Sequence, residues 1–317
     1  MWVEREVFVM GTTLRIGVRA PSRAKGVGAI QEAFHAVRRA DSLLSTWRED
    51  SEIARLNRAP VGRPVALPLE LYRLLRDSER WSRETGGAFD PGIGALVDAW
   101  DLRGRGRIPS RIELAEARSR AGMARFAFAD RSHSVTKRHE DAWIDTGAFG
   151  KGAALGAART ALQRRGIESA FLNFGGQVLA LGAGRGAEWV VPVAHPARRD
   201  QPAMRIRLRD RSASTSSQSE RYVEPEGRRL GHILDPRTGE PVPAWGSVTV
   251  VAEDPTLADI LSTALLVLGP EAALVWARPH NDVGVLVLEE LEGRVVARWN
   301  HGLSPFLVSD STHNRGG

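Results

Sequence analysis

The sequence predicts an α+β fold, and three observations carry that prediction. Strand-like and helix-like segments come in clumps rather than in strict alternation, which argues against a doubly wound parallel sheet. From residue 126 onward the pattern is mostly strand, interrupted by an Ala-rich helix over 151–164, an apolar helix over 256–268 and a further helix over 271–277. The 317 residues suffice for one large domain or two lobes, and no internal repeat is visible.

In chain order, residues 7–18 are strand-like and contain the turn-prone Met10-Gly11-Thr12-Thr13. Residues 27–46 place Ile30, Phe34, Val37 and Leu44 at helical spacing. A second helix is expected over 68–81, with Leu71, Leu74 and Leu75 on one face and Gly86-Gly87 beyond its end. Ala88-Phe89-Asp90-Pro91 then leads to a short helix ending near Trp100, and 101–110, with Gly104 and Gly106, reads as a surface loop. Gly182-Ala183-Gly184-Arg185-Gly186 runs into another strand, so it reads as a hairpin turn and not as a dinucleotide fingerprint.

Composition narrows the chemistry. The chain has no cysteine, which excludes disulfide scaffolds, Fe–S clusters, thiolate zinc sites and a lipid attached through cysteine. Lys+Arg number 44 against 38 Asp+Glu, but no basic run exceeds two residues, so the surplus is a diffuse solvated surface. A nucleic-acid binder concentrates its charge, and no nucleic-acid partner is expected. Only Lys25, Lys137 and Lys151 are lysines, which makes the position of each informative. The start lacks a basic stretch followed by an apolar core, and no segment approaches the roughly eighteen uninterrupted apolar residues of a membrane span. The expectation is a cytoplasmic protein without stable membrane insertion, periplasmic if the true start lies upstream.

Two segments suggest a site. Trp143-Ile144-Asp145-Thr146-Gly147-Ala148-Phe149-Gly150-Lys151-Gly152 reads as a strand passing through glycines into a helix. Unpaired N–H groups and the positive helix end then coincide, which suits a phosphate, and Lys151 adds a point charge. An ordinary strand–helix turn with a solvated lysine has the same pattern. It is not a Walker A loop, since Gly152 replaces the Ser/Thr. In the second segment Asp259 and Thr263 are four apart on an apolar helix preceded by Asp254-Pro255, a cap followed by proline at the first helical position. Their oxygens are hard ligands of the kind Mg²⁺ accepts, although a lone pair at this spacing is also met on ordinary helix surfaces. The eight histidines form no H-x-x-H or H-x-x-x-H pair, so a histidine zinc site is not expected. His232, before the turn Asp235-Pro236-Arg237-Thr238-Gly239, reads either as a general base or as a structural residue.

Eight segments now fall in one order: Met10-Gly11-Thr12-Thr13, Leu44-Ser45-Thr46-Trp47, Ser51-Glu52-Ile53-Ala54-Arg55-Leu56-Asn57, Gly86-Gly87-Ala88-Phe89-Asp90-Pro91, Asp145 to Gly152, Asn173-Phe174-Gly175-Gly176, His232 to Gly239, and Ala258-Asp259 to Thr263. Together they resemble the ApbE family of FAD:protein FMN transferases over about residues 7 to 270. The resemblance implies a two-lobed single domain over 1–307, with a mixed, largely antiparallel sheet, packed helices and an FAD cleft between the lobes, followed by a polar tail over 308–317. It implies FAD as substrate, Mg²⁺, and transfer of FMN to a Ser/Thr of an acceptor flavoprotein of an electron-transfer system, with release of AMP.

Carried over by motif, Met10 and Trp47 lie against the flavin. Ala88, Phe89 and Asp90 line the cofactor site, and Asp145, Lys151 and Ile233 make further FAD contacts. Asp259, Thr263 and the carbonyl of Ala148 hold the metal, with Ser262 adjacent. The acceptor hydroxyl needs a base, for which His232 is the candidate. The alternatives are an FAD pyrophosphatase giving FMN and AMP, and a flavin-binding or carrier protein without turnover. Two departures stand out: Ser214-Thr215-Ser216-Ser217, where the family often has Gly after its Thr-Ser pair and which suggests an altered loop, and Gln177 after Gly176.

Overall fold

The computed structural model describes residues 1–308 except 185, 219–221 and 228, so that the expected tail beyond Val308 lies outside the described residues. The chain begins with β1 (Trp2–Val9), β2 (Thr12–Arg19), α1 (Arg23–Leu44) and α2 (Glu52–Asn57). β3 (Pro64–Ala66), α3 (Leu69–Glu84), α4 (Gly94–Ala99), α5 (Arg111–Arg120), β4 (Phe126–Ala129) and β5 (Ser134–Lys137) follow. Next are α6 (Gly150–Arg164), β6 (Ala170–Phe174), β7 (Gln177–Leu181), β8 (Trp189–Ala194), β9 (Pro202–Leu208) and β10 (Arg211–Ser217). β11 (Tyr222–Val223), β12 (Leu230–Gly231), β13 (Gly246–Ala252), α7 (Pro255–Leu268), α8 (Pro270–Ala277), β14 (Gly284–Leu291) and β15 (Arg294–Trp299) complete the order.

Eight strands form one sheet, β1-β2-β6-β7-β10-β13-β14-β15, in which every neighbouring pair is antiparallel. β3, β5 and β4 make a second sheet, while β8–β9 and β11–β12 are separate ribbons. Alternation along the strands decides which helix or ribbon each residue meets. Val248 and Val250 of β13 and Val285 and Val287 of β14 pack with Leu261 and Leu265 of α7. Val251, Leu286 and Leu288 turn the other way, toward Val191, Val193 and Ile206 of the β8–β9 ribbon. Ile30, Ala33 and Val37 of α1 and Leu155 and Ala158 of α6 share a core with Leu14 and Ile16 of β2. Among the described residues no helix is long and apolar enough to cross a membrane.

Local chemistry sets the helix starts that matter below. Asp254 accepts from the Thr256 N–H at 2.8 Å and Pro255 occupies the first turn, as expected for the apolar helix. α6 has no side-chain cap of its own at Phe149. It crosses α7 so closely that a Cβ on Gly152 would lie 2.3 Å from the Pro255 carbonyl oxygen, a contact only glycine permits.

The structure departs from expectation in five places. The strand expected ahead of Lys151 is absent: residues 142–149 are irregular and turn-forming, held by bonds from Asn57 and Thr146 rather than by a sheet. β1 starts at Trp2, where it pairs with Arg19 of β2, and α1 at Arg23, where Ser22 caps it by accepting from the Lys25 N–H, in both cases several residues before the periodic apolar stretches. α5 was not foreseen: it buries only Ala117 and so has no apolar period, yet Ser110 and Glu113 form a capping box that is legible as S-x-x-E. The glycines around 182–186 do not close a hairpin, since β7 pairs with β6 and β10 whereas β8 pairs with β9. Residues 214–217 are not a loop but the second half of β10, paired with β13.

Candidate functional site

The site forms where α7, α6 and β10 meet. Three serines, 212, 214 and 216, alternate along β10 and are all buried, and two of them bond into α7. The Ser214 hydroxyl donates to Asp259 Oδ1 at 3.3 Å, and Ser216 lies 2.9 Å from the Ser262 hydroxyl and 3.3 Å from that of Thr263. Asp259 is only 3% exposed. Its Oδ2 accepts from the Gly152 N–H at 3.0 Å and its Oδ1 from Lys151 Nζ at 3.4 Å.

Gly152 lies in the first turn of α6, whose N–H groups have no intrahelical acceptor. Asp259 therefore caps α6 from a neighbouring helix, its negative charge placed at the positive helix end and beside the Lys151 ammonium. A buried carboxylate needs such partners, and here it has three donors of different kinds. The Ala148 carbonyl accepts no hydrogen bond among the described residues. The two side-chain ligands expected for a metal thus share one seam.

The approach to α6 is pinned on both sides. Asn57 donates to the Ile144 carbonyl at 3.0 Å and accepts from the Ile144 N–H at 2.9 Å, while buried Lys137 donates to the Asn57 carbonyl at 2.8 Å. Burial holds the Lys137 ammonium below its usual pKa. Thr146 donates to the Leu44 carbonyl at 2.8 Å. Asp145 accepts from the Gly147 N–H at 2.7 Å through Oδ1 and from Arg103 Nη2 at 3.0 Å through Oδ2. Arg103 also donates to the carbonyl and hydroxyl of Thr46, and its guanidinium lies over Trp47 at 4.8 Å and over Trp143 at 4.2 Å. Trp47 itself is 74% exposed.

The other expected site residues fall into four groups. Met10, in the left-handed region at φ 49°, turns its methyl toward Gly150, where a Cβ would meet it at 3.4 Å. Phe89 is buried edge-on to Phe149, the residue before α6, with centroids 6.4 Å apart, so it shapes the helix start from behind. Ala88 and Ile233 share a small cluster with Val242 and Val267, toward the far end of α7 from Asp259, and His232 stands half-buried beside Ile233. The structure therefore gathers Met10, Asp145, Ala148, Lys151 and Asp259 at one helix start, with Thr263 one turn along α7, and leaves Ala88, Ile233 and His232 toward the far end of α7. The Asp90 carboxylate is engaged within the protein, accepting from the Gly92 and Met123 N–H groups and from Ser82. Burial raises its pKa above the usual value, and these hydrogen bonds pull it back.

Sequence reading passed over Arg103, placed only within a surface loop, and over the seam serines, seen only as a departure from a pattern. Neither has a spacing signal, because their partners come from distant strands and helices. Gln177, the other departure, donates to the Pro255 carbonyl at 2.8 Å and so braces the start of α7.

A buried carboxylate, hydroxyls, a lysine and a helix start with no side-chain cap of its own make up a site of the class that suits phosphate groups. The model of the ApbE family matches residues 10–287, and the chain belongs to that family. It is 32% identical over 302 residues to the FAD:protein FMN transferase of Treponema pallidum, covering 90% of this chain and 83% of that protein. It is 30% identical over 292 residues to a Klebsiella pneumoniae protein of the same name, with the same coverage. Among solved structures it superimposes on the ApbE protein of Thermotoga maritima with a TM-score of 0.88 at 30% identity, covering 98% of this chain and all of that one. The flavin transferase ApbE of Vibrio cholerae gives 0.86 at 26% identity, covering 97% and 99%.

Proposed function

We propose that this chain is an Mg²⁺-dependent FAD:protein FMN transferase, which splits the FAD pyrophosphate and joins FMN to a Ser/Thr of an acceptor flavoprotein of an electron-transfer system. The observation that carries this reading is the start of α6, where the Lys151 ammonium and the Gly152 N–H converge on buried Asp259. That arrangement suits phosphoryl transfer, which asks a protein for positioning and charge neutralisation more than for covalent chemistry.

In this reading Lys151 and the α6 start bind the pyrophosphate, and Asp145 orders the turn before them. Trp47 and Met10 flank the flavin. Ala88, Phe89 and Ile233 close the site with backbone and apolar surface, and Asp90 holds the loop that carries Ala88 and Phe89. The donor set fits a hard cation: one buried carboxylate, a hydroxyl and a carbonyl with no protein donor. Among the described residues no cluster of three or more His, Asp or Glu could serve instead. Asp259, Thr263 and the Ala148 carbonyl would hold Mg²⁺, which supplies Lewis acidity to the pyrophosphate when bound. The acceptor hydroxyl forms its bond to the FMN phosphorus as the bond to AMP breaks, and His232 takes the hydroxyl proton.

The test is to incubate the protein with FAD, Mg²⁺ and a candidate acceptor and to follow AMP and protein-bound flavin fluorescence. AMP together with covalent flavin is expected. AMP with free FMN would indicate hydrolysis, and neither product would indicate a carrier. His232→Ala should lose transfer across the whole pH profile, and near-normal transfer would remove the base assignment.

A further inference from the structure

Arg103 sits in a loop that sequence reasoning assigns to the surface, yet its side chain is 28% exposed and contacts Thr46, Trp47, Trp143 and Asp145. The contacts form a stack. Gly94, at the start of α4, carries no side chain, and a Cβ there would lie 2.2 Å from Trp143 Cδ2, so the Trp143 ring rests directly on the α4 backbone. Trp143 is held in that place by its Nε1–H, which donates to Asp98 Oδ2 at 2.7 Å. The Arg103 guanidinium lies on the next layer at 4.2 Å, and the Trp47 ring on the one after at 4.8 Å. The outermost layer, Trp47, is 74% exposed. Within the plane of the guanidinium, Nη1 and Nη2 reach the carbonyl and hydroxyl of Thr46 at 3.1 and 2.6 Å, and Nη2 reaches Asp145 Oδ2 at 3.0 Å.

We infer that Arg103 is a positioning residue that sets the Trp47 indole as a fixed wall for the planar ring of the ligand. The inference rests on the reading of Trp47 as the flavin-facing residue. A large exposed indole on a loop has several rotamers, and holding one of them before binding removes an ordering cost that the ligand would otherwise meet. Arginine suits the task because its planar fork stacks between two rings while bonding in its own plane, which a lysine cannot do. One side chain thereby ties the Thr46–Trp47 loop to Asp145, whose other oxygen holds Gly147 just before α6. The stack is anchored on α4 rather than on the Asp259 seam, so ring binding and phosphate binding are set by separate parts of the fold.

The test is a double-mutant cycle on Arg103 and Trp47, read as dissociation constants for FMN and, in parallel, for ADP, which has the pyrophosphate but no flavin ring. Arg103→Ala should weaken FMN by about tenfold, as expected for loss of a stacked cation and the order it imposes, and leave ADP within about twofold. Arg103→Lys should behave like the alanine variant, since charge alone does not restore the stack. In a Trp47→Ala background the Arg103 change should add little, because it acts through that ring. Equal weakening of FMN and ADP would show that Arg103 acts through Asp145 on the phosphates and would overturn the inference. So would full additivity of the two changes, or normal FMN binding by Arg103→Ala when Trp47→Ala is impaired. Normal FMN binding by Trp47→Ala would instead remove the flavin-facing reading itself, which keeps the two failures apart. Unchanged melting temperatures should accompany every loss, and a loss tracking a lowered melting temperature would also count against positioning.

Discussion

At its inner end the site is made of backbone and buried oxygen; at its outer end it is made of exposed rings. Asp259, Lys151, Gly152 and the serines of β10 hold α6 against α7, and the same bonds that shape the phosphate-binding point also hold two helices and a strand together. Trp47, Arg103 and Trp143 stack on a different helix, α4, and the outermost ring makes its ordered contact with one guanidinium. The difference teaches that function and stability are coupled at the inner end and separable at the outer end.

The sharpest way to break that comparison is Asp259→Ala, which should lower turnover by about 10²–10³-fold, the scale on which a preorganised charge-stabilising group acts. The same change should lower stability, since it leaves the Gly152 N–H and the Lys151 ammonium without their acceptor at a cost of about 1–3 kcal/mol. Steady-state AMP release and urea unfolding read the two effects. A loss of turnover with an unaltered unfolding midpoint would mean the inner end is not coupled.

Lys151→Met should cost about 10²-fold in turnover and lower stability by less than Asp259→Ala does, because the ammonium is 30% exposed and buried Asp259 keeps its Gly152 and Ser214 donors. Near-normal turnover would take the pyrophosphate contact away from it.

Gly152→Ala tests the coupling from the packing side. The added methyl would press on the Pro255 carbonyl and the Thr256 backbone, and overpacking of this kind costs about 1–3 kcal/mol. Calorimetry should find a lowered melting temperature, together with weaker FAD binding as the helix start shifts from Asp259. Unchanged melting would show that the crossing of the two helices can yield.

The smallest effect is expected at Asp90. Burial raises its carboxyl pKa, so the folded protein holds that proton more tightly than the unfolded chain does. Its contribution to stability is therefore fullest below the ordinary carboxylate value and is lost as pH rises through the raised one. Asp90→Asn should flatten that part of the stability curve in a pH series of urea titrations. Superimposable curves for the two proteins would contradict the assignment.

What was legible in the sequence follows the same division. Asp259 and Thr263 sit on one helix, and Asp145 through Gly152 form one continuous run into α6, so local spacing exposed them even though the expected strand before that helix is an irregular segment. Asp254-Pro255 marked the start of α7 to the residue. Arg103 was invisible because its partners come from residues 46, 47, 143 and 145, and nothing in a glycine-rich loop announces a stacked cation. Ser214 and Ser216 were equally hidden: alternation along a strand is readable only once the segment is known to be a strand, and a Ser-Thr-Ser-Ser run resembles a loop. Lys137 illustrates the limit from the other side, since its scarcity drew notice but its buried bond to Asn57 depends on a distant helix end.

The most direct measurement is a crystal structure of the protein with FAD bound. The flavin ring should lie on the open face of Trp47, with the pyrophosphate within hydrogen-bond reach of Lys151 Nζ and the first-turn N–H groups of α6. FAD bound in the opposite sense, or with its pyrophosphate away from the start of α6, would contradict the assignment of the two ends.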